Sequence, residues 1–206
     1  MYQPPVSSFP WLTSNRRSFN MRIRILLVKW ARSVHKNDRG LKLKRDFAIR
    51  ISSQSEEGCL KEIIGLSFPR FFRFFASRSL TSGGFVLVSE AEERVVGFVK
   101  LIEFKVGSRL FGCVLWLAVH PDFRRRTVAI GLVEAGTGYL LKHGAGAVFA
   151  STQRGNSGSL ATFRKAGFNR IGFMDLWRIF GWRVFSFYRA IWYAPGEILL
   201  ICKKAK

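Results

Sequence analysis

From Leu110 to Val119 the chain is almost continuously apolar, and it breaks off at His120-Pro121-Asp122-Phe123-Arg124-Arg125-Arg126-Thr127. No other feature limits the fold so strongly. The run is far too short to cross a bilayer as a helix, and its sharp boundaries mark it as a buried strand. The stretch from Thr127 to His143 then reads as a helix, with Val128, Leu132, Tyr139 and Leu140 on or near one face. Lys142-His143-Gly144 closes it through favourable charge and a C-terminal glycine. Ala147 to Ser151 follows as a short buried strand, and Leu160 to Ala166 as a further helix. A crossover through a helix makes the two strands run parallel. The end of the first strand and the N-terminus of its helix then point unpaired N–H groups at one place, where an anion binds.

The rest of the chain completes a mixed α/β domain. Phe47-Ala48-Ile49-Arg50-Ile51 alternates as a half-buried strand does. Ser55-Glu56-Glu57 caps a helix that carries Leu60, Ile63 and Ile64. Phe68-Pro69 opens a second helix whose rings, Phe71, Phe72, Phe74 and Phe75, are expected in the core. Phe85 to Ser89, Val95 to Phe104 and Leu110 to Val119 form an antiparallel meander. The expected architecture is a mostly antiparallel central sheet flanked by helices, with one parallel strand pair. No repeat of fixed period is present.

The chain has 206 residues and a formal charge of +21, a field that favours anionic partners. Residues 1–46 carry 11 Lys and Arg against 2 acids. We therefore expect a basic N-terminal extension, residues 1–45, followed by one domain, residues 46–206; Met21 is an alternative start. Through this arm, nucleic acid or an anionic membrane surface becomes a candidate partner, as does a second copy of the chain. Cys59, Cys113 and Cys202 are an odd number without metal-ligand spacing, and no signal-peptide pattern opens the chain. No metal site and a cytoplasmic location are expected.

His-Pro-Asp-Phe followed by Arg124-x-x-Thr127-x-Ala129 resembles the cofactor motif of the GNAT superfamily of N-acetyltransferases. There an Arg/Gln-x-x-Gly-x-Gly/Ala loop wraps the pyrophosphate of CoA. Thr127 stands where that family usually has glycine, with its hydroxyl available as a donor or helix cap. Asn156-x-x-Ser159-x-x-x-Phe163-x-Lys165-x-Gly167-Phe168 is similar to a second family element, and the two occur in the family's order. The resemblance covers Phe47 to Phe173. It implies acetyl-CoA as co-substrate and transfer of acetyl to a primary amine of a small molecule or protein. It also implies that the backbone of Leu117, Ala118 and Val119 pairs with the pantetheine arm, which Asn156 contacts. Arg124, Arg125, Arg126, Thr127, Val128, Ala129 and Ile130 then surround the pyrophosphate, with Phe163 beside the thioester. His120 is structural in such a turn.

The family's usual acid and base are missing. Many members use a tyrosine where Phe163 stands, and some use a glutamate on the fifth strand where Ser151 stands. Glu103 is a candidate base, and Tyr139, Tyr188 and Tyr193 are candidate acids. Residues 174–194 form an insertion rich in aromatics and arginine, which reads equally as an acceptor lid, a partner surface or extra core. Two alternatives to catalysis follow: a catalytically weak acyl-CoA-binding module, and a basic nucleic-acid or membrane-associated protein on the same scaffold.

Overall fold

The computed structural model describes residues 47–191, 193, 194 and 196–203. The expected extension, residues 1–45, and its alternative start at Met21 lie outside them. Among the described residues, seven strands form one sheet in the order β1-β2-β3-β4-β5-β7-β6. They are β1 (Ala48–Ile51), β2 (Phe85–Ala91), β3 (Arg94–Val106), β4 (Arg109–Val119), β5 (Ala147–Gln153), β6 (Asn169–Arg170) and β7 (Glu197–Lys203). Every neighbouring pair is antiparallel except β4 and β5, which run parallel. The mixed, mostly antiparallel sheet read from the sequence is therefore the fold of the chain.

Among the described residues, six α-helices accompany the sheet: α1 (Glu57–Ser67), α2 (Arg70–Leu80), α3 (Val128–Lys142), α4 (Ser157–Lys165), α5 (Phe173–Phe180) and α6 (Val184–Ala190). One face of the sheet receives α3. Glycines let the two surfaces approach: a Cβ on Gly112 would lie 2.7 Å from Leu140, and one on Gly136 would lie 2.6 Å from Leu101. Leu132, Val133 and Leu140 fill the space between helix and strands.

The opposite face carries two helical layers. Leu60, Ile63 and Ile64 of α1, with Ala76 of α2, pack on Phe98 and Ala118. Farther along the same strands, Phe180 and Phe187 of α5 and α6 pack on Phe111 and Phe149. Their rings meet at centroid distances of 4.6 to 6.2 Å in mostly tilted and edge-to-face pairs, and burial of each such ring is worth about 2 to 3 kcal/mol. One face of the C-terminal insertion is thus core.

One expectation from the sequence is corrected here. The rings of α2 do not all turn inward: Phe71 is 70% exposed and Phe74 64%, while the buried residues of the helix are Ala76 and Ser79. With four phenylalanines in five positions, rings point around more than half the helix circumference, and only one side of it can meet the sheet.

Candidate functional site

β4 and β5 lie side by side only where Gly112–Val114 faces Val148–Ala150. Beyond that point β4 takes an extra residue at Leu115, since the register passes from Leu101↔Val114 to Lys100↔Trp116. Such a bulge bends its strand and increases local twist. β4 continues to Val119 and β5 to Gln153 without pairing again, so a slot opens between them. Leu115, Trp116 and Leu117 are correspondingly half-buried in a strand whose other central residues are buried.

At the mouth of this slot the chain turns from β4 into α3. The N–H of His120 donates to the Val96 carbonyl (2.8 Å), and the His120 ring accepts from the Asp122 N–H (3.4 Å). His120 is thus a turn-closing residue. Arg124 donates from Nε to the Val119 carbonyl and from Nη2 to Ser67 Oγ, both at 3.2 Å. It fastens the turn to the end of β4 and to α1. The Arg126 guanidinium sits over the Phe123 ring at 5.0 Å, leaving Arg125 as the arginine with no such tether in the turn.

Arg125 and Thr127 both adopt left-handed backbone, with φ of 63° and 62°. Left-handed residues in such a turn curl successive N–H groups toward one side, a concavity suited to an anion. The first helical hydrogen bond of α3 runs from the Gly131 N–H to the Thr127 carbonyl. The N–H groups of Val128, Ala129 and Ile130 therefore have no intrahelical partner and point out of the positive helix end. The Thr127 side chain makes no capping bond, which corrects the expected cap: with φ positive, its hydroxyl is not set toward the first turn as an extended N-cap residue's would be.

This loop faces a cavity of about 200 Å³ lined by Val119, Arg125, Thr127 and Ala129 on one side and by Ala161 and Lys165 of α4 on the other. Lys165 was missing from the sequence-based site. It occupies the family's lysine position in the second element, but nothing local shows that this side chain faces the arginine turn. Asn156 caps α4, its Oδ1 accepting from the Ser159 N–H at 3.0 Å. Phe163 is buried and packs edge-on against Phe168 at 5.1 Å.

The structure does not bring Glu103 to this loop. Glu103 pairs in register with Gly112, at the level of Leu140, whereas the loop begins at Val119, opposite Gly97. Six residues of strand separate the two levels, about 20 Å. Burial pushes the Glu103 carboxyl above its usual range, partly offset by His143. Tyr139 lies on the same side: burial, then the charge of Glu103, pushes it up to about 12. Its ring stacks on His143 at 3.9 Å. Tyr188 and Tyr193 stand together at 4.9 Å, and the Tyr193 hydroxyl donates to the Glu197 carbonyl. Glu197 faces Gln153 at the end of β5, so Tyr193 reaches that strand end from the β7 side.

Two further residues have surroundings that the sequence did not show. Trp116 on β4 packs edge-on against Phe68 (5.4 Å), and its buried indole N–H has no hydrogen-bond partner. Lys100, its cross-strand neighbour, is 1% exposed and donates to the Ser82 carbonyl at 3.1 Å. Burial lowers its pKa to about 8. A lysine inside an alternating strand reads as a solvent-facing position, and only the layer of α1 and α2 laid over it makes it buried.

Solved structures share this fold. PaiA N-acetyltransferase from Thermoplasma acidophilum, solved in complex with coenzyme A, is 14% identical over 77% of this chain and 99% of its own, with a TM-score of 0.57. An acetyltransferase from Bacillus subtilis, in complex with CoA, gives 14%, 77%, 99% and 0.56. The ribosomal-protein-S18-alanine N-acetyltransferase of Escherichia coli gives 16%, 78%, 95% and 0.54. Among curated proteins none matches the sequence. The model of the Acetyltransferase (GNAT) family matches residues 55–168, from the start of α1 through the bulged strand and arginine turn to the end of the second element. With more than half its length covered by that match, and the site's geometry inside it, this chain belongs to the GNAT family of acetyltransferases.

Proposed function

We propose that this enzyme transfers an acetyl group from acetyl-CoA to a primary amine of a small molecule or protein. The observation that carries the reading is the loop from Arg125 to Ile130, with two left-handed residues and the open end of α3, set where β4 and β5 part. Its donors suit a pyrophosphate: backbone N–H groups, the positive helix end, and the side chains of Arg125 and Lys165. Arg124 acts by holding the turn and Arg126 by packing on Phe123. The pantetheine arm pairs with the free edge of Leu117 and Ala118. Val119 contributes less, because its carbonyl already accepts from Arg124 and Ser67. Asn156 keeps its amide nitrogen for the ligand while its oxygen caps α4. Chains of this fold have been solved with CoA bound, which supports the assignment.

In the reaction, a neutral amine attacks the thioester carbonyl, the C–S bond breaks, and the amine gives up a proton as the thiolate takes one. Phe163 has no proton to give, Ser151 no carboxylate, and Glu103 sits at the far end of β3. Water filling the slot between β4 and β5 relays the proton. The missing acid and base also favour a second reading, a CoA-binding module with little turnover. The three cysteines are free, Cys113 buried among apolar side chains, which fits a reducing compartment such as the cytoplasm.

The test is acetyl transfer to a panel of small amines and peptide N-termini, read by mass, for the native chain and Phe163→Tyr. Amine-dependent product is expected from both. Phe163→Tyr is expected to be faster by about a hundredfold if thiolate protonation limits the rate. Normal acetyl-CoA binding by both chains, with no product from either, would replace the enzyme by the binding module.

A further inference from the structure

Every large apolar side chain that stands exposed among the described residues belongs to the helices on one face of the sheet. Leu66, Phe71 and Phe74 lie on α1 and α2. Phe173 opens α5, and Met174, Trp182 and Phe185 lie on the C-terminal insertion, Trp182 being 78% exposed and Phe185 60%. Both layers pack on the same side of β3: Phe98 meets α1 and α2, Phe104 meets α6, and the two alternate on one face of the strand.

The insertion is apolar on two sides. Leu176, Phe180, Val184 and Phe187 fill the core, while Met174, Trp182 and Phe185 look outward. A surface helix normally turns polar residues away from its core, and an outward apolar patch of this kind marks an interaction surface. Its charge is one-sided as well. Arg70, Arg73 and Arg78 on α2, with Arg178, Arg183 and Arg189 on the insertion, stand against Asp175, which pairs with Arg178 at 3.7 Å, while α1 adds Glu57, paired with Lys61, and Glu62, so basic residues prevail on these helices.

We propose that this face docks on an anionic lipid surface, its rings entering the headgroup boundary while the arginines meet the lipid charge. Charge complementarity selects the occupant. A second copy of the chain, at a formal +21, brings like charge to a basic face, and so does the N-terminal segment, with 11 Lys and Arg against 2 acids in residues 1–46. Leu66 and Met174 distinguish lipid from nucleic acid: they offer neither a stacking plane nor a hydrogen bond to a base, whereas an acyl boundary takes them up readily. No helix among the described residues is long and apolar enough to cross a membrane.

The experiment is co-sedimentation of the full chain with vesicles of phosphatidylcholine alone and of phosphatidylcholine with phosphatidylglycerol in equal parts. Binding is expected only to the anionic vesicles and is expected to weaken with salt. Trp182→Ser with Phe185→Ser, and separately Arg183→Gln with Arg189→Gln, should each weaken it by about tenfold or more, the N-terminal segment being intact in both. These side chains are exposed, and unchanged acetyl-CoA binding by each variant would show the fold preserved. Undiminished vesicle binding by the Trp182/Phe185 variant would overturn the proposal. So would equal binding to uncharged vesicles, or loss of affinity for an RNA oligonucleotide in a chain that binds no vesicle.

Discussion

Thr127 holds left-handed backbone at the head of α3, with φ 62° and ψ 0°, although a β-branched side chain is poorly suited to that conformation. For residues with a Cβ the left-handed region costs about 1 kcal/mol, and Thr127 recovers nothing through a side-chain cap. Thr127→Gly is therefore expected to raise stability by about 1 kcal/mol in denaturant melts, while Thr127→Ser, which keeps a Cβ, should gain much less. Equal gains from both would place the effect in the side chain and not in the backbone. This position shows how far the sequence can be read. The motif marks the turn and Thr127 as its departure from the family pattern, but the hydroxyl's cap, a reasonable expectation from residue type, fails because capping needs an extended backbone there. His120 illustrates the opposite case: the structural role expected from its His-Pro turn agrees with its bond to the Asp122 N–H. Lys165 could not be recognised locally, since it meets the arginine turn only after β4, α3, β5 and α4 are assembled.

At the scale of elements, strand alternation and helical spacing were enough to find the meander, the parallel pair and α3, because each buries one regular face. They left open which side of β3 is covered and misjudged α2 for the same physical reason: which face is covered depends on a layer added from elsewhere in the chain. Lys100 shows the energetic consequence. Its pKa is about 8 in the folded state and near 10.4 in an unfolded chain. Between those values the unfolded state binds more protons, so the Lys100 contribution is least favourable below about pH 8 and becomes less destabilising as pH rises toward 10. The full difference corresponds to about 3 kcal/mol. Cys113 and Tyr139, both pushed up to about 12, act in the opposite sense at high pH, so the diagnostic quantity is the difference between native chain and Lys100→Met. That difference should change by up to about 3 kcal/mol between pH 7 and pH 10, Lys100→Met being relatively more stable at pH 7. A difference that does not vary with pH would mean that Lys100 stays charged in the fold.

At the scale of the whole molecule, one face of the sheet packs α3 and ends in the loop proposed for the co-substrate, while the other carries aromatic helices with exposed rings. The family and sheet class were legible because two separated motifs fell in order on a strand–helix–strand–helix frame. The division of the insertion into a core side and an outward side was not, since interleaved aromatics and arginines give both sides the same composition. The central claim is that the turn from Arg125 to Ile130 holds the pyrophosphate of CoA. Calorimetric titration of the native chain and of Arg125→Glu with Arg126→Glu, each with CoA and with a desulfo-pantetheine fragment lacking phosphates, tests it most directly. The account predicts that the double variant loses most of its affinity for CoA, about a hundredfold or more from charge-assisted contacts removed and replaced by repulsion, while its affinity for the fragment is nearly unchanged. Equal losses for both ligands would contradict the account and leave the turn with a part in folding alone.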